Sequence, residues 1–131
     1  MANTDSTLLT TVERLSLYAP PSLNDAERVE YFTFSDDEIK ALYSFNNIEH
    51  AVYFASALAY FKLKYTLVNF TYQDVTLDRQ YIMQRYFQNQ ASPRTFPSDK
   101  DIIRRIENKM LNIVGFSRFS GEIAEKVLSL K

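Results

Sequence analysis

The sequence predicts an all-helical fold: a compact, orthogonal bundle of about six to seven helices around one buried central helix. Glycine is nearly absent, with only two in the 131 residues, and the apolar–polar alternation of a half-buried strand is weak throughout. Patterns that start helices recur along the chain instead. Because 46% of the residues are apolar, a single domain can bury a sizeable core without disulfides or metals.

Four motifs of the capping-box type predict where individual helices begin. In this motif a small polar side chain accepts a hydrogen bond from the backbone N–H three residues later, and the side chain of that later residue bonds back. The motifs are Thr10–Glu13, Asn24–Glu27, Ser35–Glu38 and the shorter version Ser98–Asp101, while Thr76 and Ser120 precede two further periodic segments. The predicted helices cover about 7–18, 24–31, 36–45, 48–64, 77–89, 99–114 and 121–130.

The segment 48–64 is predicted to be the central helix because it is apolar nearly all round. Its apolar residues include Val52, Tyr53, Phe54, Ala55, Leu58, Ala59, Tyr60 and Phe61. Residues 67–72 are β-branched and aromatic, which is typical of an extended segment, but a lone strand has no partner here. Gly115 suits the positive φ that often follows a helix. The chain has no internal repeat or low-complexity tract, so residues 1–131 are predicted to form one domain.

Composition and charge restrict the function classes. The chain has no cysteine, which excludes disulfides and thiolate metal sites and favours a reducing compartment. No apolar run reaches the roughly 20 residues that span a bilayer, so no membrane partner is expected. The formal net charge is −1, but residues 1–76 carry five basic and ten acidic side chains, and residues 77–131 carry ten basic and six acidic ones. This split predicts a cationic face, and chance clustering is the alternative.

No catalytic, metal or cofactor site is predicted. His50 is the only histidine, and a zinc site needs several imidazole or thiolate ligands, so His50 is predicted to be a core or subsurface residue. No nucleophile motif of the Gly-x-Ser-x-Gly kind supports a hydrolase triad. The carboxylates Asp36, Asp37 and Glu38 follow Ser35 directly, where acids complement the dipole of a helix N-terminus.

The predicted helix 99–114 carries the strongest functional pattern, because it has two contrasting faces at about 100° per residue. The apolar face consists of Ile102, Ile103, Ile106, Met110, Ile113 and Val114, and the opposite face of Arg104, Arg105, Asn108, Lys109 and Asn112. Arginine and lysine contact phosphates and guanine edges, and asparagine pairs with adenine. The polar face is therefore predicted to bind duplex DNA in the major groove. The alternative is the solvated face that most amphipathic helices possess.

Four further residues are predicted to contact phosphates beside that helix. Arg94 and Thr95 lie in a proline-bounded loop, Lys100 is at the start of the helix, and Arg118 follows it. Basic and hydroxyl side chains bind phosphate oxygens and set the register of a protein on a duplex. An ordinary solvated loop is the alternative for Arg94.

Three segments in a fixed order point to a known family. The first, 29–39, contains Tyr31, Phe32, Ser35 and Asp36–Glu38; the second, 50–62, contains Phe54, Ala55, Leu58, Phe61 and Lys62; the third, 113–122, contains Gly115, Phe116 and Phe119. In these residues the chain resembles the N-terminal domain of Tn-three family transposases, over roughly residues 10–131. It has Ala51, Tyr53 and Ala57 where that family usually has Arg, Gly and Gln.

The resemblance implies a helical domain that binds the terminal inverted repeats of a mobile element as double-stranded DNA. In that family the strand-transfer chemistry belongs to a separate RNase-H-like domain, so this chain is expected to have no catalytic activity, cofactor or metal of its own. Its expected partners are inverted-repeat DNA, the rest of a transposase and a homodimer partner, at the nucleoid in the bacterial cytoplasm. The alternative is a helical protein–protein interaction or dimerisation module, since the acidic first half and the many tyrosines suit a partner surface.

Overall fold

A computed structural model describes residues 18–115, and this part of the chain folds into five α-helices. They are α1 (Asp25–Tyr31), α2 (Asp36–Leu42), α3 (Ile48–Lys64), α4 (Thr76–Tyr86) and α5 (Lys100–Ile113). Residues 18–115 contain no strand, so the all-helical class is confirmed, and the five helices there correspond to five of the six to seven that the sequence predicts. The helices predicted at 7–18 and 121–130 lie outside the described residues. None of the five described helices is long and apolar enough to cross a membrane.

Local capping explains where α1 and α2 begin, as the sequence predicts. The backbone N–H of Glu27 donates to Asn24 Oδ1 at 2.8 Å, and the Glu27 carboxylate accepts from the Asn24 N–H at 2.9 Å. Ser35 and Glu38 form the same reciprocal pair at the start of α2, at 3.3 and 2.8 Å. Each pair satisfies two backbone donors that would otherwise lack partners at the helix N-terminus.

The starts of α4 and α5 differ from the predicted ones. Asp99, not Ser98, caps α5, because its carboxylate accepts from two backbone N–H groups of the first turn at 2.8 and 3.3 Å. A carboxylate is the stronger acceptor and also complements the helix dipole. Thr76 is the first residue of α4 rather than its cap, and Val75 before it makes no side-chain cap bond.

Two helices end three residues earlier than predicted. Helix α2 ends at Leu42 because Ser44 turns the chain: its hydroxyl and its backbone N–H both donate to the Ala41 carbonyl, at 2.6 and 3.1 Å. Helix α4 ends before Phe87, which leaves helical geometry with φ −136° and is buried in the core. Gly115 follows α5 with φ +87°, which glycine adopts without the steric cost of a β-carbon.

The central helix is α3, as predicted, and it contacts each of the other four helices. Every residue from Ala51 to Phe61 is buried, and four of these eleven residues are alanines. Such small side chains let neighbouring helices approach closely. The helix begins at the Asn47 cap and ends at Tyr65, which adopts a left-handed conformation with φ 58° and is 78% exposed.

Aromatic rings fill the space beside α3. Phe70 comes from residues 67–72, which form no strand, and its ring lies 4.8 Å from Tyr53 and 5.4 Å from Tyr60, centroid to centroid. Phe32, directly after α1, meets Tyr60 edge to face at 6.2 Å. Stacked and edge-to-face contacts of this kind stabilise a core beyond its buried area.

Candidate nucleic-acid interface

Helix α5 lies with one side against the core and the opposite side toward solvent. Ile106 and Met110 are buried, with 3% and 0% of their surface exposed. Arg104, Arg105 and Asn112, on the opposite side, are exposed. The apolar face identified from the sequence is therefore the packing face, and the two arginines are accessible.

Leu111 is a core residue that the helical pattern missed. It follows Arg104 by seven residues, so the two lie only about 20° apart around the helix axis, yet Leu111 is 3% exposed. The buried arc of α5 is thus wider than the apolar face read from the sequence. Arg104 marks the edge of the exposed side, while Arg105 and Asn112 lie well within it.

The predicted contact residues on α5 differ in how free their side chains are. Arg104 and Arg105 have no hydrogen-bond or ion-pair partner within residues 18–115. Lys109 is half-buried: its ammonium donates to Ser44 Oγ and lies 4.6 Å from the centre of the Phe45 ring. Asn108 is also half-buried and is not free of contacts. The arginines are available to a partner, whereas the Lys109 ammonium is held against the turn between α2 and α3.

A side-chain contact ties α5 to a distant part of the chain. Lys109 joins it to Ser44, which is 65 residues away in the sequence. Glu107 acts on Tyr53 of α3: burial, together with the negative charge of Glu107, raises the pKa of Tyr53 to about 12. Both causes disfavour the ionised form of the Tyr53 hydroxyl. Core contacts, rather than the arginines themselves, set where the arginine face lies.

The loop before α5 holds Arg94 and Thr95 between two buried anchors. Pro93 is buried, and its carbonyl accepts a hydrogen bond from the Tyr72 hydroxyl at 2.6 Å. Phe96 is 8% exposed and packs edge to face against three aromatic rings, with centroids 5.4 to 5.8 Å away. Because the residues on both sides are fixed, the loop presents Arg94 and Thr95 to solvent on a defined backbone.

Arg79 supports that loop and is not available to a ligand. Its guanidinium lies 3.5 Å from the centre of the Tyr72 ring, Nε donates to the Tyr72 carbonyl at 2.9 Å, and Nη2 donates to Thr76 Oγ1 at 3.1 Å. Tyr72 thus connects Arg79 on one side to Pro93 on the other. No local sequence pattern signals this stack, because the residues that form it are spread over more than twenty positions.

The remaining predicted phosphate contacts are only partly described. Lys100 is exposed in the first turn of α5, close in sequence to Asp99 and Asp101. Arg118 lies outside the described residues. From residue 94 to residue 105 the chain carries four basic and two acidic side chains, all exposed. The structure therefore places Arg94 on the loop that leads directly into the helix bearing Arg104.

A buried ionic network joins α1, α3 and α4. Arg28 Nε donates to Asp78 Oδ1 at 2.7 Å, and the Tyr60 hydroxyl donates to Asp78 Oδ2. Arg28 also donates to Asp25 Oδ1 at 2.9 Å and to the Leu23 carbonyl at 2.8 Å. The bond to Asp78 raises the pKa of Arg28, and burial, then the charge of Asp78, raises that of Tyr60. No local pattern signals this network, because its members lie 18 and 50 residues apart.

The residues that carry the resemblance form the scaffold rather than the exposed surface. Phe32, Phe54 and Leu58 are completely inaccessible. Lys62 donates to Glu38 Oε1 at 2.7 Å, which ties the capping box of α2 to the end of α3. These motifs therefore report on how the helices pack.

The positions at which the chain departs from the transposase pattern are buried as well. Ala51, Tyr53 and Ala57 are 2%, 7% and 6% exposed. They lie on α3, not on the exposed side of α5. In this chain these three residues shape the packing around the central helix.

The histidine and the clustered carboxylates singled out in the sequence lie in the first turns of two helices. His50 is half-buried in the first turn of α3. Asp36, Asp37 and Glu38 occupy the first turn of α2, as predicted. Within residues 18–115, no group of three or more His, Cys, Asp or Glu side chains is placed to hold a metal ion.

Comparison with known families identifies the class of the chain. Residues 8–129 match the family described as Domain of unknown function (DUF4158), and the chain belongs to that family. The match covers almost the whole chain, so the exposed side of α5 and the loop before it both lie inside the family domain. No curated protein and no solved structure matches the chain.

Proposed function

We propose that this chain is a DNA-binding domain that recognises terminal inverted repeats, in the manner of the N-terminal domain of a Tn-three family transposase. The observation that carries the proposal is the exposed arginine face of α5. Arg104 and Arg105 are exposed and without partners among the described residues, while Ile106 and Met110 hold the opposite side in the core. A helix anchored in this way can place its exposed side in the major groove.

The chemistry of the two neighbouring surfaces suits different parts of a duplex. Arg104, Arg105 and Asn112, the exposed residues of that side, contact base edges and adjacent phosphates from α5, since arginine pairs with guanine and asparagine with adenine. Arg94, Thr95, Lys100 and Arg118 bind phosphates and set the register. Lys109 acts through its contacts with Ser44 and Phe45, which fix the angle of α5.

The resemblance supports the choice of DNA and of partners. The three segments that resemble Tn-three transposases are spread between residues 29 and 122, and in those enzymes the catalytic acids lie in a different domain. The proposal therefore assigns this chain binding without catalysis, with the rest of a transposase or a second copy as protein partners. Residues 77–131, which include α5, carry ten of the 15 basic side chains of the chain.

Equilibrium binding of the full chain to duplex DNA tests the proposal. The probe is a pool of duplexes with a randomised centre, followed by the sequences that it selects. We expect a defined sequence to be enriched, and we expect its affinity to fall steeply as salt rises, because each neutralised phosphate releases counterions. Absence of binding at low salt, or affinity indifferent to salt, contradicts the proposal.

A protein-interaction module is the second candidate, and exposed apolar side chains favour it. Tyr65, Leu77 and Tyr43 are 78%, 63% and 52% exposed. Aromatic side chains such as these tyrosines are enriched in protein–protein interfaces. A sedimentation coefficient of the full chain that rises with concentration, combined with no binding to any duplex, would favour this candidate over the first.

A further inference from the structure

A shallow groove runs beside α4, and its walls are made of glutamine side chains. Gln80 and Gln84 lie one turn apart on the exposed side of the helix, and Gln88 and Gln90 lie in the turn that follows. Its floor is formed by Met83 and Phe87, which are 7% and 5% exposed. The groove has a volume of about 530 Å³ and no charged residue among those that line it.

The charge of the surrounding chain favours a nucleic acid over a basic or neutral partner. No acidic residue occurs between Asp78 and Asp99, and the exposed basic residues of the intervening stretch are Arg85 and Arg94. Arg85 is exposed next to Gln84, and Arg94 follows the groove residue Ser92 by two positions. The groove is thus continuous along the chain with the loop to which phosphate binding is assigned above, and nothing in its walls repels a polyanion.

We infer that the glutamine groove is a second base-reading element, which selects A·T pairs on the DNA that α5 and the Arg94 loop bind. This inference rests on the proposed function and deepens it. The glutamine side chain pairs with the N6 and N7 atoms of adenine, and the methyl group of thymine makes contacts with apolar side chains. An amide wall above a floor of Met83 and Phe87 offers both kinds of contact. Arginine or lysine, which would read guanine, does not line the groove.

The experiment compares the sequences selected from a randomised duplex pool by three full-length chains. They are the wild type, the double variant Gln80→Ala/Gln84→Ala, and the control Gln73→Ala, which removes an exposed glutamine outside the groove. We expect the wild type and the control to select the same A·T positions, and the double variant to lose them. Urea unfolding should give the same midpoint for all three, because the substituted residues are exposed.

Base analogues then test the contacts directly. At an A·T position selected by the wild type, 7-deazaadenine removes the N7 acceptor and uracil removes the thymine methyl. We expect each analogue to weaken wild-type binding, by roughly tenfold for the loss of the adenine pair, and we expect 7-deazaadenine to leave the double variant, which lacks the glutamines, unaffected. The dependence of affinity on salt should not differ between these chains, because glutamine is uncharged.

The results separate this inference from the function on which it rests. If the wild type binds a defined sequence and the double variant selects the same one, the inference is wrong and the proposed function stands. If none of the three chains binds DNA at low salt, the inference and the proposed function are both wrong.

Discussion

Two sets of arginines in this protein have opposite environments, although they are the same residue type. Arg28 is 8% exposed, and each of its donating nitrogens has a partner: Asp78, Asp25 or the Leu23 carbonyl. Arg104 and Arg105 are exposed and have no described partner. The first guanidinium joins α1 to α4 through Asp78, and the other two are available to bind something outside the chain.

The number of charges alone therefore does not locate a binding surface. The sequence places five basic residues in the first 76 positions, yet Arg28, Lys62 and Lys64 are engaged in hydrogen bonds within the fold. Lys109 and Arg79, in the basic part, are engaged as well. Only the partner of each charge decides whether it stabilises the fold or remains available for a ligand.

The largest loss of stability is expected when the buried Arg28–Asp78 pair is broken. Asp78→Ala leaves the Arg28 guanidinium buried without its counterion and removes the acceptor of the Tyr60 hydroxyl. Breaking a buried pair in this way costs about 3–5 kcal/mol. Urea unfolding of the purified chain measures this loss of free energy of unfolding.

Asp25→Ala is the matched control for that change. Asp25 also binds Arg28, but its side chain is fully exposed to solvent, so its loss should be much less destabilising. Equal destabilisation by the two substitutions would show that burial does not distinguish the two carboxylates.

A pH effect of intermediate size is expected from the buried tyrosines. The pKa of Tyr53 is raised to about 12 in the folded chain, from the ordinary tyrosine value of 10.0, and that of Tyr60 is raised too. The folded state therefore keeps protons that the unfolded state loses, so stability is full below pH 10 and falls as pH rises toward 12. For Tyr53 the loss amounts to about 3 kcal/mol at most.

Thermal or urea unfolding between pH 9 and pH 12 measures this slope, and tyrosinate absorbance reports the ionisation. Tyr53→Phe keeps the ring against Phe70 and Phe96 but removes the titrating hydroxyl. The variant should lose less stability over this range than the wild type. An identical slope would show that Tyr53 is not protected by the core.

The smallest stability effect is expected on the surface, with the opposite sign. Tyr65 ends α3 at φ 58°, a conformation in which a β-carbon is strained. Its side chain is 78% exposed, so the ring contributes little to the core. Tyr65→Gly should raise the free energy of unfolding by about 0.5–1 kcal/mol. Tyr65→Ala keeps the β-carbon and should bring no such gain; a gain of equal size in the alanine variant would locate the cause in the ring.

Local rules predicted the parts of the fold that depend on neighbours in the sequence. The capping boxes at Asn24 and Ser35 form as expected, and α3 has the predicted bounds. Helix α4 was harder to place, because Val75 gives it no side-chain cap and Phe87 leaves the helix to enter the core. Such ends depend on packing rather than on the local sequence.

The candidate site was predictable to the same extent. The two faces of α5 follow from its periodicity, but Leu111 and Lys109 do not behave as the pattern indicates. Leu111 is covered by tertiary packing that no window on α5 reveals, and Lys109 finds Ser44 across 65 residues. The Arg28–Asp78 pair was missed for the same reason, since each residue alone looks like an ordinary charge on a helix.

Arg104 and Arg105 are proposed to serve binding and not folding. The most direct test measures duplex affinity against salt for the full-length wild type and for Arg104→Ala/Arg105→Ala, with Lys40→Ala, an exposed lysine on α2, as the control. We predict an unchanged unfolding midpoint for the double variant, weaker binding, and a log–log salt slope shallower by about one to two. Affinity and slope equal to those of the wild type, or a double variant that unfolds, would contradict the account.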